Sequence, residues 1–460
     1  MSARPQRASI ALNETRPLWQ SLVIFLIPLM LSNVLQALGQ TANSAYLGRL
    51  IGVRSLAAVS AIFPIVFFLI SFLIGLGAGS SVLIGQAYGA RDHAKVKQIA
   101  GTTLALTIVL GVVVGLFGGI FSPQLLAALH TPSDIIAVSA SYARVTFFAI
   151  PILFLYLMYT TFLRGTGDTR MPFYALIVST ALTMLLTPVF IKGWFGWPAF
   201  ATNGAAVGNI VAAAIALAGL LVYLRLVKHP LALDREMLGN LRLRLDLVAS
   251  IAKIGIPTSV NLVMISLSEI AVLTFVNRFG STAVAAYGAV NQVASYVQFP
   301  AISIGIAASI FGAQSIGAGR TERLGAIVRS AVIVNYLIEG ALIALVYAFD
   351  KNIISLFITA PATVAIARGL LLITLWSYAI YGNGRILSAI MISSGTVVWP
   401  TALSILSSWG VEVPVAYVLS QRIGLNGVWY GYPCAFIAAL LMQLVYYYFF
   451  WKRKPLRRLV

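Results

Sequence analysis

Residues 254–280 read IGIPTSVNLVMISLSEIAVLTFVNRFG. A helix needs about 20 mostly apolar residues to cross a bilayer core, and this run supplies them. One acidic residue, Glu269, sits deep inside it. A charge at bilayer depth costs roughly 2.5–3.5 kcal/mol on insertion scales, so such a residue faces a protein interior or a water-filled path. Asn261, Ser266 and Ser268 add polarity, and Pro257 removes one helix hydrogen bond and favours a kink. The stretch reads as a membrane-spanning helix with a cation-binding carboxylate.

The rest of the chain has the same character. Of 460 residues, 60% are hydrophobic and 9% charged; soluble domains are about 25% charged. An all-α integral membrane protein follows. Apolar runs of spanning length fall at about 18–47, 56–85, 97–121, 136–162, 172–192 and 204–226, then at about 247–278, 284–315, 325–349, 364–391, 398–421 and 426–450. That gives about twelve helices. Residues 226–246, with Lys228, His229, Asp234, Arg235, Glu236, Arg242 and Arg244, read as a cytoplasmic linker between lobes 1–225 and 247–460.

The formal charge of +19 does not call for nucleic acid, which needs a basic patch on a soluble module. The basic residues sit at helix ends instead. With both termini cytoplasmic, the outer regions hold only Arg49, Arg54, Lys192, Arg278, Lys351 and Arg422. The inner regions collect most of the others, from Arg4, Arg7 and Arg16 to Arg453, Lys454, Arg457 and Arg458. This is the positive-inside asymmetry. The N-terminal MSARPQRASIALNETRPL lacks a short apolar core with a small-residue cleavage site, so the first helix is expected to act as an uncleaved targeting signal. A single cysteine, Cys434, excludes an intrachain disulfide.

The halves repeat. Gln86 in GQAYGA and Gln314 in AQSIGA stand 228 residues apart, as do Leu56 and Val284, Gly167 and Gly395, and Pro172 and Pro400. Asn203-Gly204 matches Asn426-Gly427 after a small deletion. A spacing held over more than a hundred residues is the mark of an internal duplication. Six helices per half gives both halves the same orientation, related by a pseudo-twofold axis along the membrane normal, with a substrate path between them.

The segments GQAYGARD, LLAALHTPSDIIAVSASYARV, LRGTGDTRMP and AVAAYGAVNQVASYVQFPAISIGIAASIFGAQSIGAGR resemble the multidrug and toxic compound extrusion (MATE) family of cation-coupled exporters, over essentially the whole chain. The resemblance implies two six-helix lobes, a central cavity, and exchange of small molecules for H⁺ or Na⁺ by alternating access. It also implies a multi-pass monomer in a bacterial cytoplasmic (inner) membrane, with the lipid bilayer and small-molecule substrates as its partners and no cofactor beyond the coupling ion.

The departures from the family pattern concern its acids. Asn43 stands where many relatives carry an aspartate late in the first helix, and Thr183 and Thr187 precede Pro188 where relatives carry Asn and Asp. An amide or hydroxyl can ligate Na⁺ but cannot exchange a proton at neutral pH. In the seventh helix relatives place Glu eight residues after the Pro; that position is Ile265 here, with Glu269 one turn on. The two differ by roughly 40° around the helix. The tenth helix carries Tyr381, Asn383 and Arg385 where relatives have an aspartate.

The cation-coupling set is therefore Glu269, Asn261, Asn43 and Gln40, with Na⁺ an option at Glu269 and Gln40 set opposite it by the repeat. A structural carboxylate satisfied by Ser or Asn neighbours is the competing reading of Glu269. Tyr287, Asn291, Gln292, Tyr381, Asn383 and Arg385 are expected to line the substrate cavity, against packing, interhelical hydrogen bonding or, for Arg385, snorkelling to the inner surface. Glu339, with Asn335 at i−4, is a secondary candidate on the same membrane-cost argument. Asp92 and Asp168 read as loop-structuring residues.

Nothing in the chain suggests catalysis: there is no P-loop or HExxH, and His93, His130 and His229 lie in separate loops. The transporter alternative is a flippase for lipid-linked or polysaccharide precursors of the same superfamily, for which Arg385 is the one good anion-binding candidate.

Overall fold

The computed structural model describes residues 16–358 and 360–460; the N-terminal Arg4 and Arg7 lie outside them. Among the described residues twelve helices are long and apolar enough to span a membrane: α1 Leu18–Leu50, α2 Phe63–Gly89, α3 His93–Ile120, α4 Ile136–Gly165, α5 Arg170–Lys192, α6 Asn203–Leu226, α7 Leu245–Asn277, α8 Ser281–Gly317, α9 Arg323–Ala348, α10 Pro361–Ser393, α11 Val398–Ile423 and α12 Leu425–Trp451. No strand occurs among the described residues. Large side chains such as Leu185, Leu337, Val398 and Phe449 point outward and exposed. Apolar surface on that scale belongs against lipid: the protein is a multi-pass membrane protein.

The duplication is visible in the backbone. Left-handed φ angles recur as pairs: Gly52 (115°) and Gly280 (89°) ahead of helices, Arg91 (59°) and Gly319 (75°) after α2 and α8, Gly167 (91°) and Gly395 (84°) after α4 and α10. Each pair has the spacing of the sequence repeat. Turn geometry repeats because the chain must reverse at equivalent points, and mostly glycine tolerates that conformation.

Two compact units result, one formed by Leu31–Gly255, the other by the stretch through Met30 together with Ile256–Val460. The units divide inside α1 and α7, and the polar linker 226–246 lies within the first. In the second unit, Leu22, Phe25, Leu26 and Leu29 of α1 are buried with Ile304, Phe311, Ile386 and Met391, and the Phe25 and Phe311 rings meet edge to face at 5.4 Å. In the first unit, the start of α7 packs on α2: a Cβ on Gly79 would lie 2.5 Å from the Ile251 carbonyl.

The linker is docked in this unit as well. Asp234 caps the short helix Arg235–Gly239 by accepting from the Met237 amide at 2.8 Å, and Lys97 Nζ bonds both Asp234 and Glu236 at 2.6 Å.

In the second unit two helices are irregular where it matters. A 3₁₀ turn at Leu375–Ser377 interrupts α10, and a π turn at Ser408–Glu412 widens α11 just ahead of Pro414. Pro414 cannot donate to the preceding turn. Such insertions re-aim side chains and concentrate at functional sites.

Candidate functional site

The second unit encloses a cavity of about 80 Å³, room for several water molecules. Ile265, Ser268 and Glu269 of α7, Gln298 of α8, Tyr378, Tyr381 and Arg385 of α10, Ser404, Ser407, Ser408 and Glu412 of α11, and Tyr432, Phe436 and Gln443 of α12 line it. Both Ile265 and Glu269 face it, so the one-turn displacement from the family position keeps the carboxylate in the same cavity.

Side chains fix the wall. Trp409 Nε1 donates to the Met264 carbonyl at 3.0 Å and holds α11 to α7; Gln443 Nε2 donates to the Pro400 carbonyl at 2.9 Å and holds α12 to α11. Phe436 gathers three tyrosines, with ring centroids 4.9 Å from Tyr381, 5.3 Å from Tyr378 and 6.3 Å from Tyr432. Glycine at 431 admits the close approach of α12 to α11, since a Cβ there would stand 2.9 Å from the Glu412 carbonyl.

The electrostatics centre on two glutamates. Glu269 is exposed, whereas Glu412 is only 4% exposed and feels the charge of Glu269. Arg385 shares the cavity, but its buried Nε has no hydrogen-bond partner, and no ion pair joins it to either glutamate among the described residues. Two carboxylates against one guanidinium leave the fully ionised cavity one negative charge in excess. Carboxylate, hydroxyl and amide oxygens on one wall are the donors a hard cation takes, and the ring cluster offers π faces to an organic one. No group of three His, Cys, Asp or Glu side chains able to hold a metal ion occurs among the described residues.

Of the residues named from sequence, Glu269, Tyr381 and Arg385 meet in this cavity. The structure places the others elsewhere. Tyr287 is committed to packing, stacked on Trp429 at 5.8 Å and sharing a 2.8 Å hydrogen bond with the Tyr432 hydroxyl. Asn383 accepts from Asn335 Nδ2 at 3.3 Å. Asn291 and Gln292 are absent from the cavity wall, where Gln298 stands in their stead. Asn261 is buried two turns from Glu269, its Oδ1 unpartnered. In the first unit Asn43 has a buried, unpartnered Oδ1, and Gln40 is exposed. Glu339 is wholly buried and does not reach the cavity.

Sequence reasoning missed Glu412. The membrane-cost argument that singled out Glu269 applies to it equally, because it lies mid-span in α11; neighbouring Gly410 and Pro414 disguise it as a helix end. The loop acids behave as expected of caps. Asp92 accepts from the Lys95 amide at 2.8 Å. Asp168 accepts from the Arg170 and Met171 amides at 2.9 and 3.2 Å, and burial raises its carboxyl above the usual range.

The MatE family pattern matches residues 28–189 and again 257–418. Both edges of the second match lie 229 residues beyond those of the first.

The chain belongs to the MatE family.

Among the relatives of this MatE protein, the probable multidrug resistance protein YoeA of Bacillus subtilis (strain 168) is 50% identical over 458 residues, 99% of each chain. The multidrug export protein MepA of Staphylococcus aureus (strain NCTC 8325 / PS 47) is 24% identical over 94% of this chain and 95% of its own. In fold, a mutant form of the Vibrio cholerae MATE transporter VcmN superposes with a TM-score of 0.87 at 19% identity, over 95% of this chain and 98% of that one.

Proposed function

We propose that this protein exports amphipathic, cationic or aromatic small molecules from a bacterial cytoplasm, in exchange for H⁺ or Na⁺, by alternating access. The observation that carries the reading is the convergence of Glu269 and Glu412 on one aromatic-lined cavity with no ion-pair partner for either among the described residues. The names of the YoeA and MepA relatives support the substrate class. The charge balance disfavours the flippase alternative, because Arg385 faces two carboxylates where an anionic lipid headgroup requires the reverse.

Antiport follows from competition. A proton or Na⁺ neutralises the carboxylates from one side of the membrane; an organic cation displaces it from the other, its rings against Tyr381, Tyr378 and Phe436. The coupling ion then drives the substrate through the difference in its affinity for the two orientations. Each tenfold ion gradient supplies about 1.4 kcal/mol per ion exchanged. The protein works as a monomer in this reading, with both termini cytoplasmic as the distribution of Lys and Arg requires.

The test is transport of an organic cation into everted membrane vesicles under an imposed pH gradient and, separately, an imposed Na⁺ gradient. The wild type, Glu269→Gln, Glu412→Gln and the double variant are compared. Response to one gradient only identifies the ion. Gradient-driven transport unchanged in the double variant removes both carboxylates from the mechanism.

A further inference from the structure

Outside the cavity, where α9 packs against α8 and α10, a third membrane-embedded acid is enclosed. Glu339 is 0% exposed, and neither carboxylate oxygen has a hydrogen-bond partner. One turn earlier, Asn335 is also fully buried. Its amide donates to the Ala379 carbonyl at 2.9 Å and to Asn383 Oδ1 at 3.3 Å, and its own Oδ1 is unpartnered. Gly382 makes this fit possible, since a Cβ there would collide with the Asn335 amide. A built polar pocket thus links α9 to α10, with an acid at its end.

The surroundings hold no counter-charge. Over Ser281–Gly317, α8 carries no charged residue; of its tyrosines, Tyr287 is bonded to Tyr432 and Tyr296 packs on Phe299. The Leu375–Ser377 turn has no ionisable group. On Asp350–Ser355, Asp350 is paired with Arg368 at 2.7 Å and Lys351 is exposed. Along α9, Arg329 is about 15 Å away at the helical rise. From α10 come Arg385, which makes no ion pair with Glu339 among the described residues, and Tyr381. The Tyr381 phenol lines the cavity, and it feels the charge of both Glu269 and Glu339. An ionised carboxylate without partners is strongly disfavoured in such a place. Na⁺ needs roughly six oxygen ligands, as hard cations generally do; the unpartnered oxygens here are the two of Glu339 and Asn335 Oδ1. A proton needs one.

We propose that Glu339 is a second proton-binding site, held as a neutral carboxylic acid outside the cavity, and that it exchanges its proton with the cavity through the Tyr381 phenol. The two side chains are not hydrogen-bonded in this structure; when rotation of the Tyr381 side chain brings them together, the Glu339 O–H bond breaks, the phenol oxygen accepts that proton and releases its own to the Glu269 carboxylate. Glu339 is left ionised, Glu269 neutral, and the net charge is unchanged. The neutral state of Glu339 stands without the coupling reading; the use of its proton in transport rests on that reading.

Infrared spectroscopy of the purified protein in liposomes tests both steps without any substrate. At neutral pH the wild type is expected to show a carboxylic acid carbonyl band that Glu339→Gln abolishes. Should that variant fail to fold, Glu339→Asp must shift the band. A band that survives Glu339→Gln, or is unmoved by Glu339→Asp, overturns the neutral acid. On transfer to D₂O the Glu339 band shifts as its proton exchanges, and Tyr381→Phe is expected to slow that shift by about a hundredfold, the usual scale for loss of an acid–base group. An exchange rate unchanged in Tyr381→Phe overturns the route. Neither result depends on vesicle transport, so failure of the Glu269 and Glu412 variants to affect efflux leaves this reading to stand or fall alone.

Discussion

The six spans of the first half and the six of the second share a backbone plan, down to paired left-handed turns, and differ in charge. From α1 to α6 no span contains Asp or Glu; α7, α9 and α11 carry Glu269, Glu339 and Glu412. Where the second unit has carboxylates, the first has buried oxygens without partners, on Asn43, Tyr156, Tyr159 and Thr187, and an unpartnered Nε on Arg164. Duplication therefore preserved the turns and close helix contacts, which packing demands of both copies. Acids inside the spans stand only in the second copy, where the proposed coupling chemistry is placed. A hydroxyl in place of a carboxylate leaves the fold almost untouched, because both are small and polar; it removes the one group able to take up a charge.

The comparison breaks most sharply through transport. Replacing both Glu269 and Glu412 with Gln is expected to lower gradient-driven efflux about a hundredfold, equivalent to about 2.7 kcal/mol, and each single change about tenfold. The paired change in the first unit, Asn43→Ala with Thr187→Val, should stay within about threefold, under about 1 kcal/mol. Vesicle transport rates measure both. A first-unit variant as damaged as the double glutamate variant would mean that the coupling chemistry is shared between the units.

A second pair of changes separates packing from chemistry. Asn203-Gly204 and Asn426-Gly427 are equivalent positions, and in both a Cβ would press into backbone: that of Ile191 and Phe190 at 2.5–2.7 Å for Gly204, and that of Leu419 and Ser420 for Gly427. Gly204→Ala and Gly427→Ala should each destabilise the protein by about 1–3 kcal/mol, the usual cost of overpacking, read as a lower thermal unfolding midpoint in detergent. Only Gly427→Ala, on the α11–α12 contact that also seats Glu412, is expected to weaken ion coupling as well. Equal coupling in the two variants would sever the link between that contact and the site.

These contrasts also show what was legible in the residue order. Helix number, the duplication and Glu269 were readable, because apolar length, a constant spacing and a mid-membrane charge are each one-dimensional signals. The partners of Glu269 were not. Glu412 comes from a helix position 143 residues away, at the end of the π turn Ser408–Glu412. Tyr287 and Asn383 looked like cavity residues because an aromatic or amide in a span has the same sequence signature whether it meets solvent or another side chain; Trp429 and Asn335 decide the matter in three dimensions. The docking of the linker was hidden for a related reason. Its charges suggested solvent, yet Lys97 lies buried against two of them. Lys97→Met should cost about 1–2 kcal/mol, since Asp234 and Glu236 are half exposed and rehydrate when the ammonium is lost. The check is protease cleavage within 228–244, which should accelerate in that variant and stay at the wild-type rate if the docking carries no energy.

The smallest expected effect again divides the units, because His93, His130 and His229 all fall in the first. His229 Nδ1 accepts from the Leu231 amide at 3.1 Å, which requires that nitrogen to be unprotonated. Burial, and then the nearby His93, push His229 down to about 4 from 6.5. Between those values the unfolded chain binds more protons than the folded one, so stability falls as pH drops through the window and is fully present above it. Asp234 adds a second, more acidic step: burial pushes its carboxyl up, but the hydrogen bond and charge of Lys97 together with the backbone amides, Met237 among them, outweigh this and hold it below the ordinary 3.8. Its contribution is present above that value and lost as pH falls further. His229→Gln keeps an acceptor for the Leu231 amide and cannot titrate. It should therefore flatten the pH dependence of the unfolding midpoint between about 6.5 and 4 by on the order of 1 kcal/mol while leaving the more acidic step in place. A slope in that window unaltered by His229→Gln would show that the acid sensitivity does not arise at His229.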